Sequence, residues 1–158
     1  MSLEISFEGK NIIVTGGTRG IGRSIATQFL INGGNVTITG TAVIDEEDLR
    51  AEWGFEALSY HRVDFLQTDS LTDFIDWIGR QDKIDILVNN AGINKVAMNT
   101  LSTVSDFESL IDVNLKGPYL ISREVSIKMK DRNYGRIVNI SSIWGTITRP
   151  GRLSLIHI

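Results

Sequence analysis

The residues with the clearest chemical potential form a glycine-rich segment, Thr15–Gly22, near the start of the chain. The apolar run Ile12–Val14 precedes it and a helical pattern follows it, so it reads as a loop between a strand and a helix. Gly16 permits a tight turn, Gly20 lets the backbone approach a pyrophosphate, and Gly22 lets the helix pack against the strand. Free N–H groups at the helix N-terminus would then meet the phosphates. The segment predicts a dinucleotide-binding loop; a glycine-rich turn without a ligand is the alternative.

Further polar residues follow other apolar segments along the chain. Asp64 follows one of them, Asn89–Gly92 follows another, and Ser142 follows a third, while Asn114 lies in a helical region between them. In open parallel sheets, ligands bind at the carboxyl ends of the strands. The residues after each strand are therefore the candidates for binding and catalysis.

Apolar runs and amphipathic segments alternate, which predicts right-handed β-α-β units and a parallel sheet with helices on both faces. The predicted strands are Ile12–Val14, Val36–Thr39, Leu58–Val63, Ile84–Val88 and Arg136–Ile140. The predicted helices are Ile21–Ile31, Glu46–Glu52, a segment capped by Thr68 or Asp69 that ends near Arg80, Ser105–Asn114 and Pro118–Asp131. In the first helix, the 3.6-residue period predicts one buried face. That face comprises Ile21, Ile25, Phe29 and Leu30.

Composition limits the possible classes of function. The 158 residues carry a net charge of −3 and no cysteine, which argues against a nucleic-acid surface and excludes disulfides and cysteine-based zinc sites. The segment Met1–Glu8 has neither a basic start nor an apolar run, and no stretch approaches the ~20 apolar residues that span a bilayer. We therefore expect one domain over residues 1–158, with no membrane partner, no metal site and a cytoplasmic location.

The motifs together resemble the short-chain dehydrogenase/reductase family. Thr15–Gly22 matches its Thr-Gly-x-x-x-Gly-Ile-Gly hallmark, and Asn89–Gly92, Val113–Gly117 and Asn139–Gly145 follow in the family's order. The pattern is closest to reductases of the 3-oxoacyl-carrier-protein type, and the resemblance covers about residues 7 to 153. It implies a Rossmann-like, doubly wound parallel sheet with about five of the family's seven strands present.

The end of the second predicted strand indicates which nicotinamide cofactor is bound. A site that prefers NAD places an acidic residue there to bind the ribose 2′-hydroxyl. Here Thr39–Ala42 contains no acid, and the first one is Asp45. Arg19 could pair with a 2′-phosphate and Thr41 could add a hydroxyl contact, although a solvated surface charge is the alternative for Arg19. We predict NADP(H) rather than NAD(H).

The resemblance implies further cofactor contacts. It assigns the adenine amino group to Asp64, with Phe65 beside it, although a loop or capping carboxylate is nearly as good a reading of Asp64. Asn90, Ala91 and Gly92 would line the ribose and nicotinamide side, and the Asn90 side chain could also tie neighbouring strands together. The predicted cofactor-binding residues are Gly16, Thr18, Arg19, Gly20, Ile21, Gly22, Thr41, Asp64, Phe65, Asn90, Ala91 and Gly92.

The resemblance also implies a catalytic set of Asn, Ser, Tyr and Lys, acting on a carbonyl or secondary alcohol. Asn114 matches the Asn and Ser142 the Ser, with Ser141 as the less favoured alternative. The tyrosine would fall at position 155, which is Leu155, and the chain ends before the lysine. We therefore expect a C-terminally truncated and inactive member of the family, whose full-length relatives form homo-oligomers. The alternative is a nucleotide-binding module without chemistry.

Overall fold

The computed structural model describes residues 5–95 and 101–142. In that part of the chain, five short parallel strands form one sheet in the order β3-β2-β1-β4-β5. The strands are β1 (Asn11–Val14), β2 (Asn35–Gly40), β3 (Leu58–Arg62), β4 (Ile86–Asn89) and β5 (Arg136–Asn139). All five predicted strands are therefore present, and each boundary differs from its predicted position by at most two residues.

Helices connect successive strands. They are α1 (Gly20–Ile31), α2 (Glu46–Trp53), α3 (Thr68–Gly79), α4 (Val104–Ile111) and α5 (Gly117–Asp131). A single π-helical turn, Asp112–Lys116, joins α4 to α5, so the predicted helix ending at Asn114 stops three residues earlier. Among the described helices, none has the length and apolar character needed to cross a bilayer.

The central strands are covered on both faces by separate apolar cores, whereas all four residues of β5 are exposed. One core joins Ile12, Val14 and Ile38 of the sheet to Ala26 and Leu30 of α1. The other core joins the opposite face to α3 and α5 and includes Ile13, Leu87, Phe74, Ile121 and Val125. Strands buried on both sides read as nearly continuous apolar runs, as β1 and β4 do. This arrangement confirms the doubly wound α/β fold.

Two local expectations were wrong. Ile21 does not share the buried face of α1: its side chain is 67% exposed, and Ala26 takes the central buried position of the helix instead. The residue that caps α3 is Gln67, which makes no side-chain capping bond, rather than Thr68 or Asp69. In both cases the loop before the helix sets where the helix begins, and apolar periodicity does not report loop geometry.

A buried carboxylate fastens the amino-terminal end of the sheet. The Asp85 side chain is fully buried, and its oxygens lie 2.9 Å from the Asn11 N–H and 3.2 Å from both Lys83 Nζ and Arg132 Nη1. Its backbone carbonyl accepts from the Arg136 N–H at 3.0 Å. Burial by itself would raise the pKa of Asp85, but the hydrogen bonds from Asn11, Lys83 and Arg132 outweigh it and hold the pKa below its ordinary value.

We predict that Asp85→Asn lowers the free energy of unfolding by about 2–3 kcal/mol, because two cations lose their anionic partner while the buried polar site remains. Urea unfolding followed by circular dichroism measures this change. Asp82→Asn is the matched control. Because Asp82 is exposed, this substitution should leave the free energy of unfolding unchanged.

The stability difference between the wild type and Asp85→Asn should also depend on pH. Because the pKa of Asp85 is lower in the folded state, its contribution is complete above the unfolded-state value of about 3.9 and is lost as pH falls through the folded-state value. The stability difference between the wild type and Asp85→Asn should therefore be constant near neutral pH and shrink below about pH 4. A difference that does not change with pH would contradict this assignment.

Candidate nucleotide-binding site

A groove of about 610 Å³ opens at the carboxyl ends of the central strands. Parallel strands bring their following loops to one edge of the sheet, which is where ligands of this fold class bind. All twelve residues predicted to hold the cofactor line this groove. They are Gly16, Thr18, Arg19, Gly20, Ile21, Gly22, Thr41, Asp64, Phe65, Asn90, Ala91 and Gly92.

The glycine loop is shaped by close backbone contacts. Gly16 has φ +64°, and a Cβ there would lie 2.9 Å from the Ala91 Cα. A Cβ on Gly22 would collide with the Gly16 carbonyl oxygen and with Asn90 Nδ2. Gly20 has φ +57° and open space where its Cβ would be. The loop therefore packs tightly against the end of β4 while its outer side is accessible to a ligand.

Hydrogen bonds from the end of β4 hold this loop in place. Thr15 is fully buried, and its hydroxyl oxygen accepts from the N–H groups of Asn90 and Ala91, each at 3.0 Å. Asn90 Nδ2 donates to the carbonyls of Thr15 at 3.0 Å and Gly16 at 3.1 Å. The side-chain amide of Asn90 thus ties neighbouring strand ends together, which was the second role considered for it.

The end of β2 carries no negative charge toward the groove. The first acid after β2 in the sequence, Asp45, caps α2: its Oδ1 accepts from the N–H groups of Glu47 at 2.8 Å and Asp48 at 3.1 Å. Arg19 is exposed on the groove wall and forms no ion pair with the described residues. Thr41 is also exposed on the wall. This end of the groove therefore combines an unpaired cation with a hydroxyl.

Asp64 and Phe65, which the sequence predicts to lie at the adenine, line the groove after the end of β3. One Asp64 oxygen, Oδ1, accepts from the Leu66 N–H at 3.0 Å, so the side chain shapes its own loop as the alternative reading held. Phe65 is 7% exposed, and its ring lies where a Cβ on Gly117 would come within 2.6 Å. Phe65 thus forms groove wall on one side and packs against the start of α5 on the other.

Asn114 lies in the π-helical turn, and its side-chain amide is hydrogen-bonded to the loop after β4. Its Oδ1 accepts from the Ile93 N–H and its Nδ2 donates to the Ile93 carbonyl, both at 2.9 Å. Single π-turns inside helices frequently occur at functional sites. The turn places the amide beside Gly92, whose Cβ would lie 3.1 Å from Asn114 Oδ1. Asn114 thereby fixes the loop after β4 on the far side of the groove.

Ser142 is half-buried and lies three residues beyond the end of β5. Its strand is fixed to β4 by the Ile140 N–H, which donates to the Asn89 carbonyl at 2.9 Å. The amide of Asn89 adds bonds from Nδ2 to Ser122 Oγ at 2.9 Å and to Asn139 Oδ1 at 2.8 Å. Ser142 thus leaves the same edge of the sheet as the groove loops. Position 155, where the tyrosine was expected, lies outside the described residues.

Six residues of the groove wall were not predicted as site residues. They are Thr39, Gly40, Val63, Leu66, Ile93 and Val113. Each is a chain neighbour of a predicted residue, or next but one to it, so adjacency was the available signal. Thr39 is the most informative of them, because its hydroxyl oxygen accepts from the Gly16 N–H at 3.2 Å and so joins β2 to the glycine loop.

Comparison with known proteins agrees with this geometry. The short chain dehydrogenase profile matches residues 10–154. The chain therefore belongs to the short chain dehydrogenase family, a family of NAD(P)-dependent oxidoreductases.

Individual relatives are similar along almost the whole chain. The 3-oxoacyl-[acyl-carrier-protein] reductase FabG of Aquifex aeolicus (strain VF5) is 37% identical over 157 residues, which cover 96% of this chain and 63% of that protein. The protein of the same name from Rickettsia bellii (strain RML369-C) is 34% identical, over 94% of this chain and 60% of that protein. The chain thus spans less than two thirds of the length of these curated relatives.

Solved structures share the fold. A metagenomic short-chain oxidoreductase in complex with NADP superposes with a TM-score of 0.81 at 33% identity, over 94% of this chain and 69% of that one. A protein of the short chain dehydrogenase/reductase family superposes with a TM-score of 0.84 at 33% identity, covering 93% of this chain and 61% of that one.

The tight packing of Gly22 predicts that Gly22→Ala destabilises the glycine loop. The added methyl group meets backbone and the Asn90 amide, neither of which can yield without breaking the loop's hydrogen bonds. We expect a loss of about 1–3 kcal/mol in the free energy of unfolding, measured by urea denaturation. Gly79→Ala is the matched control: its Cβ meets only Glu124 Oε1 at 3.5 Å, so it should not destabilise the protein.

Proposed function

We propose that this chain binds NADP(H) and contributes the cofactor-binding half of an oxidoreductase that transfers hydride between the nicotinamide and a carbonyl or secondary alcohol. Residues 1–158 would form a single dinucleotide-binding domain. The proposal rests on the groove geometry, on the family and on relatives described as 3-oxoacyl-[acyl-carrier-protein] reductases. A cytoplasmic location and assembly of the full-length protein into homo-oligomers belong to the same proposal.

The preference for NADP is supported by the charges at the end of β2. A 2′-phosphate there would meet the Arg19 guanidinium and the Thr41 hydroxyl. Asp45 is the first acid after β2 in the sequence, and its carboxylate is hydrogen-bonded to the N-terminus of α2. A structure of a relative at 33% identity is described as a complex with NADP, which agrees with this reading.

The remaining groove residues suit a dinucleotide. The glycine loop would present backbone N–H groups at the start of α1 to the pyrophosphate. Asn90 and Ala91 hold that loop against β4, and Asp64 faces the far end of the groove, where the adenine would lie. The bound cofactor would supply or accept the hydride, while the protein orients it and keeps the carbonyl in place.

The catalytic part of the proposal concerns Asn114 and Ser142. Ser142 would hold the substrate oxygen by a hydrogen bond, and Asn114 would support proton delivery on the far side of the groove. In the 158 residues, no tyrosine is followed four positions later by lysine. We propose that these 158 residues by themselves do not supply the acid/base pair that the family resemblance implies.

The cofactor preference gives a direct test with Arg19. We expect the wild-type chain to bind NADPH more tightly than NADH, and Arg19→Gln to weaken NADPH binding by about tenfold while NADH binding changes little. Isothermal titration calorimetry with both nucleotides measures these affinities. Equal affinity of the wild type for the two cofactors would contradict the NADP proposal.

We also predict that the 158-residue polypeptide binds NADPH without oxidising it in the presence of a ketone. Loss of the acid/base alone slows such a reaction by about 10²–10⁴-fold. The readout is NADPH absorbance over time. Steady oxidation by the purified chain would disprove the prediction.

A fusion distinguishes the two candidate functions. Replacing Leu155 by tyrosine, placing a lysine at position 159, and joining the chain to the part of the Aquifex aeolicus relative that lies beyond the matched region should give NADPH oxidation if the chain is the cofactor half of an enzyme. Cofactor binding without turnover in the fusion would favour a non-catalytic nucleotide-binding module.

A further inference from the structure

The backbone that leaves β2 is held by β3 at three consecutive carbonyls. The Gly40 carbonyl accepts from the Val63 N–H at 2.8 Å. The Thr41 carbonyl accepts from Arg62 Nε at 3.0 Å, and the Ala42 carbonyl accepts from the Tyr60 hydroxyl at 2.6 Å. Only the first of these bonds continues the regular β ladder. The other two come from side chains and extend the pairing into the loop that carries Thr41.

Tyr60 and Arg62 are placed on β3 where their side chains can reach the loop after β2. Tyr60 and Arg62 alternate with His61 along β3, so both lie on the sheet face opposite to His61. Gly40 pairs with Arg62 in register, and a Cβ on Gly40 would lie 3.2 Å from the Tyr60 hydroxyl oxygen and 2.8 Å from Thr18 Cγ2. The Tyr60 hydroxyl therefore sits where the glycine loop and the end of β2 meet.

The bonds have an electrostatic consequence for an anion at this end of the groove. A carbonyl oxygen is the negative end of a dipole, and one left free beside a phosphate would repel it. Here the lone pairs of Thr41 and Ala42 are directed to donors on β3, and one donor is a cation. Arg62 uses only Nε in its bond to Thr41, and among the described residues its guanidinium meets no carboxylate.

We propose that Arg62 is a determinant of NADP specificity and that Tyr60 is its positioning partner: together they fix the β2–α2 loop, and Arg62 adds a second positive charge to that of Arg19 for the 2′-phosphate. This rests on the proposed cofactor-binding function and adds two residues of β3 to it. The positive charge at the proposed 2′-phosphate site then comes from the glycine loop and from the end of β3, which lie on either side of the end of β2.

Two observations support Tyr60 as a donor held in place. The Tyr60 N–H donates to Glu46 Oε2 at 2.8 Å, which anchors this part of β3 to the first turn of α2. Burial raises the pKa of the Tyr60 phenol, with the Arg62 charge acting in the opposite direction. The hydroxyl therefore stays protonated and able to donate at neutral pH.

The test compares Arg62→Gln and Arg62→Lys in the 158-residue chain, with NADPH and NADH affinities measured by titration calorimetry. Gln removes the charge, whereas Lys keeps it. We expect Arg62→Gln to weaken NADPH binding by about tenfold and NADH binding by less than about twofold. Arg62→Lys should recover most of the loss. Tyr60→Phe, which removes one hydroxyl, should weaken NADPH binding by about threefold with little effect on NADH.

Controls separate this effect from general damage. Arg123→Gln removes an exposed arginine of α5, far along the chain from the groove, and should change neither affinity. Thermal unfolding of each variant shows whether the fold is kept. If Arg62→Gln fails to fold, Arg62→Met, which also removes the charge, takes its place, and the NADPH-to-NADH ratio of Tyr60→Phe gives a second, independent readout.

The outcomes distinguish this inference from the function beneath it. If the wild type and Arg19→Gln behave as proposed but Arg62→Gln leaves NADPH binding unchanged, or weakens both nucleotides equally, the role of Arg62 is wrong and the NADP proposal stands. If the wild type shows no preference for NADPH, both are wrong.

Discussion

The hydrogen bonds between the end of β1 and the end of β4 are the constraint on which the site depends. The Thr15 hydroxyl oxygen accepts two N–H groups from the loop after β4, and the Asn90 amide returns two bonds to the backbone after β1. Two loops far apart in sequence thereby become one rigid wall. Because these groups are buried or half-buried, losing a partner would leave polar atoms unsatisfied, which costs more than the bond itself contributes.

The same pair of strands is fastened at its other end by Asp85. There the Asp85 carboxylate bonds to the first residue of β1 and to the end of α5, and the Asp85 backbone carbonyl bonds to the start of β5. The central strands are thus fixed at both ends, with apolar cores on the two faces between them. A dinucleotide spans several strand ends at once, so it needs strands that do not slide past one another.

The proposed preference for NADP depends on which partners the carboxylates that follow β2 have. Asp45 and Glu46 both follow β2, yet neither is directed at the groove: Asp45 caps α2, and Glu46 forms an ion pair with Arg50 and accepts the Tyr60 N–H. The free N–H groups at the N-terminus of α2 hold the Asp45 carboxylate. Because these carboxylates are bound within and around α2, the groove wall at the end of β2 presents Arg19 and Thr41 without an acid. The architecture of α2 is thereby linked to the proposed choice of NADP.

The sequence by itself determined the fold class and most of the residues that line the groove. Alternating strand and helix patterns need only local periodicity, and a parallel sheet brings every post-strand loop to one edge, so the glycine loop, Asp64 and Asn90 could be placed together without coordinates. Tertiary structure decided what each side chain does there. Asn114 is bound to Ile93, and Arg62 is bound to Thr41. These pairings join residues whose separation in sequence carries no signal, since they depend on strand order and on the exact turn of each loop. For the same reason Ile21 could not be recognised as exposed: its helix begins at the groove, and only the packed sheet shows which side of that first turn faces the opening.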